Sequence, residues 1–305
     1  MPTPAVSTAF GDLLDPRFQR IFNDRHKQLP DMVAGIYTMA GSNGRNNITY
    51  SQVGAFQDVQ QFTGTIEFDS VSQGYDTTIT PLEWASGFQV ERKLFDDDQF
   101  NIMDQRPSGL ARASNRTRQK HAFRPFTMAF SVDTLFYVNT EAVASCSNSH
   151  TTTSGASTGT GFDNLVTSAL SATAITAAKI QGWGLRDDRA NRMATMWDEL
   201  WYPPDIFDVA EEILGSAGKP DTMNNNINVH QGKYTGMSSV YMTDVNDWFL
   251  VDSAMRKESL FWSDRIPNEF AMVEDFDTMV AKWRLYSRYG AGEIDWRWRI
   301  GASVT

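Results

Sequence analysis

The chain has 305 residues, 41% of them hydrophobic and 21% charged, which is enough apolar material for one large domain or two modest ones and excludes a disordered tail. Its formal net charge of −10 argues against a protein that coats nucleic acid through a strongly basic surface. A single cysteine, Cys146, excludes an internal disulfide framework and a cysteine-rich zinc site.

Residues 1–31 read as an arm rather than a core element. A short amphipathic helix is expected over 17–27, with Phe18, Ile21 and Phe22 on one side, Asp15-Pro16 at its start and Pro30 ending it. The start Met1-Pro2-Thr3-Pro4 has no basic segment followed by an apolar one, and no stretch approaches the roughly 18 apolar residues of a membrane span. These features lead us to expect a soluble, cytoplasmic product.

From 48 to 95 the pattern changes to strands. Thr65-Ile66-Glu67-Phe68-Asp69 alternates, Ser70-Val71-Ser72-Gln73-Gly74 reads as a turn, Thr77-Thr78-Ile79-Thr80 resumes a β-prone run, and 88–94 alternates again. The stretch is polar and short of bulky aliphatics, so a long hairpin here needs something else to lean on.

Asp96-Asp97-Asp98 opens a helix expected over 97–124. Carboxylates suit a helix start because they accept from free N–H groups and match the dipole. Pro107 should kink or restart this helix and Pro125 should end it. Residues 105–130 contain no acid but include Arg106, Arg112, Arg116, Arg118, Lys120 and Arg124. Arg112, Arg116 and Lys120, at i, i+4 and i+8, form one basic stripe.

Residues 147–161 are a Ser/Thr/Gly surface loop. Ser171 should cap a helix to about Trp183 with Ala172, Ile175 and Lys179 on one face. Another helix over 206–214 is expected to be capped by Asp205 and closed by Gly215. Strands are expected at Val240-Tyr241-Met242 and Trp248-Phe249-Leu250-Val251. The C-terminus reads as a hairpin of 283–289 and 295–300 around Gly290-Ala291-Gly292, with Trp296, Trp298 and Ile300 facing one way and Asp295, Arg297 and Arg299 the other. The whole is α+β with no repeat of solenoid length.

Chemistry is sparse. Cys146 and His150 could form a thiol–imidazole pair, but they flank a loop that offers no rigid frame, and a packing cysteine is the preferred reading. Asp96-Asp97-Asp98 and Asp187-Asp188 read as capping and turn carboxylates rather than a Mg²⁺ site. His26, His121, His150 and His230 lack metal-ligand spacing, and no nucleophile elbow or phosphate-binding loop occurs. We expect no catalytic residues, no cofactor and no metal.

The run Trp84-Ala85-Ser86-Gly87-Phe88-Gln89-Val90-Glu91-Arg92-Lys93-Leu94-Phe95-Asp96-Asp97-Asp98-Gln99-Phe100-Asn101 resembles the start of the spine helix in major capsid proteins of tailed phages, in the Mu-like major head subunit group. The match continues, in order, with Ser114-Asn115-Arg116-Thr117-Arg118-Gln119-Lys120-His121, Leu170-Ser171-Ala172-Thr173-Ala174, Pro203-Pro204-Asp205, Trp248-Phe249-Leu250-Val251-Asp252, Asp275-Phe276-Asp277-Thr278 and Asp295-Trp296-Arg297-Trp298-Arg299. It spans about residues 48–300.

The resemblance implies the Hong Kong 97-like capsid fold. Residues 1–47 would be an N-terminal arm, 48–95 an extended β-hairpin loop reaching over an adjacent subunit, and 96–164 the spine helix with the first part of a peripheral domain. Residues 165–265 would be the axial domain and 266–305 the closing strands of the peripheral domain. It implies a structural protein, not an enzyme, that assembles in the host cytoplasm into pentamers and hexamers of an icosahedral virion shell. The shell would enclose double-stranded DNA without sequence-specific binding, with portal, scaffold and decoration proteins as further partners; any scaffold would be a separate protein. Assembly contacts are expected at Phe68, Gln73, Tyr75, Arg92, Lys93 and Asp97, and an inner-face basic stripe at Arg112, Arg116 and Lys120. Two alternatives stand beside this reading: an encapsulin-like nanocompartment shell, and a cytoplasmic hydrolase using Cys146 and His150.

Overall fold

A computed structural model describes residues 8–41, 44–66, 68–70, 73–91, 93, 102–136, 141, 143–151, 161–220, 226–275 and 280–304, the first helix by its backbone alone before Arg17. Two sheets organise it. The first runs β1 (Thr38–Ala40), β9 (Leu260–Asp275), β10 (Val280–Glu293), β4 (Leu82–Glu91), and the second β5 (Leu165–Val166), β11 (Arg299–Ala302), β8 (Trp248–Val251), β6 (Glu199–Tyr202), β7 (Thr235–Ser238). A separate two-stranded ribbon pairs β2 (Ile48–Val53) with β3 (Gln73–Ile79).

The central strands β6, β8 and β11 of the second sheet are buried on both faces, as their apolar side chains require, while the edge strand β7 is largely exposed. Along β8, Phe249 and Val251 point into one core while Trp248 and Leu250 point into another. Along β6, Trp201 joins the first core and Leu200 and Tyr202 the second. The first core is shared with β9, β10 and the chain leaving α3 (Gln105–Ala122); the second is closed by α5 (Ala172–Trp183) and α6 (Phe207–Gly215). A short α2 (Val33–Ile36), α4 (Arg124–Thr127) and α7 (Ser253–Ser259) complete the order.

The N-terminal segment departs from the expectation of an arm rather than a core element. Its helix, α1 (Thr8–Gln28), runs through Pro16 and is part of the core. Phe18 lies 5.1 Å from the Trp283 ring and Phe22 stacks on Phe270 at 5.1 Å, and both side chains are buried against the first sheet and α3. Phe18, Ile21 and Phe22 form the inward face that their spacing predicts, but they bury it within the same chain.

The C-terminal hairpin does not form. β10 passes straight through Gly290-Ala291-Gly292 and pairs with β9 and β4, while β11 crosses to the second sheet and pairs with β8 and β5. Gly290 is there for close approach rather than for turning, since a Cβ would stand 3.1 Å from Pro81 Cα and 3.2 Å from the Thr80 carbonyl. Arg297 and Arg299, expected on an outward face, are buried, and Trp298 lies in a different core from Trp296 and Ile300.

Other boundaries shift for local reasons. α3 starts at Gln105, so Pro107 falls in its first turn, where a missing N–H costs nothing; Pro125 opens α4 rather than closing α3. Asp96, Asp97 and Asp98 lie outside the described residues. Ser171 caps α5 as expected, its hydroxyl accepting from Ala174 N at 3.1 Å. Asp205 does not cap α6, because a 3-10 turn over Pro204–Ile206 precedes it, and Gly215 is its last residue. The strand expected at 240–242 lies earlier, as β7, while 240–241 form a turn.

Candidate assembly surfaces

The β2–β3 ribbon and its loop form the first surface. The expected strand at 65–69 is absent among the described residues, and the described residues between the two strands, 54–66 and 68–70, are loop. Strand 82–91, read with the hairpin in the sequence, pairs along its length with β10 instead. At its base the ribbon is held by its own chain: Tyr50 stacks on Phe261 at 4.6 Å, and Thr77 Oγ1 donates to the Glu293 carbonyl at 3.1 Å. Beyond the base, Val53 at the end of β2 and Phe56, Val59, Phe62, Ile66 and Phe68 on the loop face solvent, Val59 100% and Phe68 93% exposed. Exposed apolar groups clustered on one loop mark a surface that meets another protein.

The expected assembly contacts separate into different settings. Phe68 stands on the exposed loop. Gln73 opens β3 and reaches Asp76 at 3.1 Å. Tyr75 is half-buried, its hydroxyl 3.2 Å from Thr151 Oγ1, lining a cavity of about 280 Å³ with Gln52, Met255, Asp295 and Arg297. Lys93 is exposed, and Arg92 and Asp97 lie outside the described residues.

The second surface is the outer face of α3. Arg106, Arg112, Arg116 and Lys120 are exposed there and have no acidic partner among the described residues. The other two cations of the acid-free stretch turn inward. Arg118 grips Asp264 with two bonds of 2.6 and 2.8 Å and lies over the Trp262 ring, and Arg124 grips Asp133. Sequence spacing separated the outward stripe from Arg118 but gave no sign of these long-range carboxylate partners.

The hydrolase alternative fails on geometry. Cys146 is buried, and burial pushes its thiol up to about 12, away from the reactive thiolate. His150 is turned elsewhere, with Nδ1 3.0 Å from Glu141 Oε2, Nε2 3.1 Å from Asn164 Oδ1 and its ring stacked on Trp296 at 3.9 Å. Among the described residues no group of three His, Cys, Asp or Glu could hold a metal ion, and no helix is long and apolar enough to cross a membrane.

Similar arrangements occur in solved shells. The asymmetric unit of the bacteriophage PhiM1 mature capsid superposes with a TM-score of 0.60 at 10% identity, over 91% of this chain and 88% of that one. The capsid of Myoviridae phage XM1 gives 0.52 at 14% identity, over 90% and 91%. A virus-like particle from Pyrococcus furiosus gives 0.52 at 8% identity, over 94% and 98%. The chain therefore has the Hong Kong 97-like capsid fold. A family model described as phage capsid protein matches residues 74–300. The chain belongs to that family and is a structural capsid protein, not an enzyme. No curated protein matches the sequence. The family match disfavours the encapsulin-like alternative, with which the fold alone would be compatible.

Proposed function

We propose that this chain is the major head subunit of a tailed phage or prophage, many copies of which form the pentamers and hexamers of an icosahedral shell around double-stranded DNA. The observation that carries the reading is the β2–β3 ribbon, whose loop holds a row of large apolar side chains that its own chain leaves uncovered. In this reading the ribbon and loop are the extended arm over an adjacent subunit, α3 is the spine and the first sheet the peripheral domain. The second sheet with α5 and α6 is the axial domain around the symmetry centres. Phe68, Gln73, Tyr75, Arg92, Lys93 and Asp97 contribute to subunit contacts. Arg112, Arg116 and Lys120 face the packaged DNA and bind its backbone without reading sequence. Assembly takes place in the host cytoplasm with portal, scaffold and decoration proteins as further partners, and many weak contacts add up through closure.

Replacing 56–68 with a short Gly/Ser link tests this directly. The altered chain should keep its circular dichroism and melting temperature yet form no particles under conditions where the unaltered chain does. Particles of normal size from the altered chain would overturn the reading.

A further inference from the structure

The loop that carries the apolar row is clamped at both ends by one turn, residues 187–191, that follows α5. Asp187 braces that turn, its Oδ1 accepting from Arg189 N at 2.9 Å and from Asn191 N at 2.8 Å, and Ala190 adopts the left-handed φ of 66° that closes it. From this platform Asp188 Oδ1 accepts from Ala55 N at 2.9 Å on the outgoing leg of the loop. Arg189 donates to the Ser70 carbonyl at 2.7 Å and pairs with Asp69 at 2.9 Å on the returning leg. Asp69 then ties the legs together, accepting from Gln57 N at 3.0 Å.

These contacts are all polar and all at the neck of the loop, whereas Phe56, Val59, Phe62, Ile66 and Phe68 beyond or beside them stay exposed. A loop held only by its own body's hydrophobic contacts would show the opposite pattern.

We propose that Asp188 and Arg189 are positioning residues that pre-order the loop in the free subunit and present its apolar row to a second copy of this chain. The inference rests on the shell reading above, and the second copy is the partner because members of a capsid family are surrounded by one another. Clamping the neck removes part of the ordering entropy that association would otherwise cost. The Asp69 carboxyl is held below its usual range, first by the Gln57 N–H and also by Arg189.

The test measures the critical concentration for particle formation together with limited proteolysis of the unassembled full chain. Arg189→Ala and Asp188→Ala should raise the critical concentration by roughly two- to fivefold, as loss of a partly exposed charged clasp allows. Both should also speed cleavage within 56–68 while the melting temperature of the body holds. The exchanged pair Arg189→Asp with Asp69→Arg regains the ion pair but not the Ser70 and Gln57 bonds, so it should recover part of both readouts relative to Arg189→Asp alone, which a general packing defect would not allow. Variants that assemble at the normal or a lower concentration despite faster loop cleavage would overturn the proposal while leaving the shell reading intact. Failure of the unaltered chain to assemble in any form would sink both.

Discussion

Arg299 and Glu293 form an ion pair across 3.3 Å with side chains 0% and 3% exposed, at the crossing from the first sheet to the second. Glu293 is the last residue of β10 and Arg299 the first of β11. Trp298 Nε1 donates to the same carboxylate at 2.7 Å, Ser145 Oγ donates to its other oxygen, and Arg299 donates to the Pro125 carbonyl at 2.7 Å. The buried Glu293–Arg299 pair thus ties both sheets, the segment that follows α3 and the 145 region together.

Breaking that pair should be costly. Arg299→Met leaves Glu293 buried without its counter-charge, a change worth about 3–5 kcal/mol, and should lower the denaturation midpoint accordingly. Adding Glu293→Gln removes the stranded charge and should recover part of the loss. Equal destabilisation of the single and double variants in chemical denaturation would contradict this account.

His121 should make the fold sensitive to acid. It is buried among Trp84, Trp262 and Tyr289, and burial first, then Arg124 and Arg118, push its pKa down to about 4. In the unfolded chain the imidazole titrates near 6.5, so in that window the unfolded state binds a proton that the folded state refuses. The stability associated with this group is complete above pH 6.5 and is lost as pH falls toward 4, by up to about 3 kcal/mol. His121→Phe keeps the ring contacts and should flatten the pH dependence between 7 and 4.5. Parallel curves for the two proteins would show that the group is not the cause.

Gly301 and Cys146 should couple. A Cβ on Gly301 would stand 2.6 Å from Cys146 Sγ and 3.0 Å from the Phe130 ring. Gly301→Ala should cost about 1–3 kcal/mol by overpacking, and Cys146→Ala should return part of it in the double variant. Cys146→Ala alone should leave particle formation intact, and the native thiol should resist a disulfide reagent until the chain unfolds. Purely additive effects in a thermodynamic cycle would refute the contact.

The stripe on α3 should be dispensable for folding. Changing Arg112, Arg116 and Lys120 together to Gln should shift stability by no more than about 0.5 kcal/mol per site, since these side chains are exposed. Salt-sensitive retention of DNA by particles should fall. Unchanged retention across a salt titration would remove these residues from any DNA-facing role.

Much of this was legible wherever local rules decide structure. Ser171 before an alanine-rich run capped its helix, the apolar run Trp248-Phe249-Leu250-Val251 formed a two-sided strand, and the i, i+4, i+8 cations lay on one exposed face. The readings failed where distant chain segments decide. Gly290-Ala291-Gly292 looks like a turn until the Thr80-Pro81 backbone is known to cross it. Arg299 looks like a solvent-facing residue of an alternating strand until Glu293, Ser145 and Pro125 close around it. Phe18 and Phe22 have the right spacing, but spacing does not name the sheet that receives them. The neck clasp at Asp188 and Arg189 carries no sequence signature, because its partners lie more than a hundred residues away.

Closure upon copies of itself is what the proposed function requires of this chain. Electron microscopy with light scattering on the chain expressed alone, and again with a scaffold or nucleating partner, addresses it most directly. Closed particles, or rings of five or six subunits, are the predicted result. A species that stays monomeric at high concentration in both settings would contradict it.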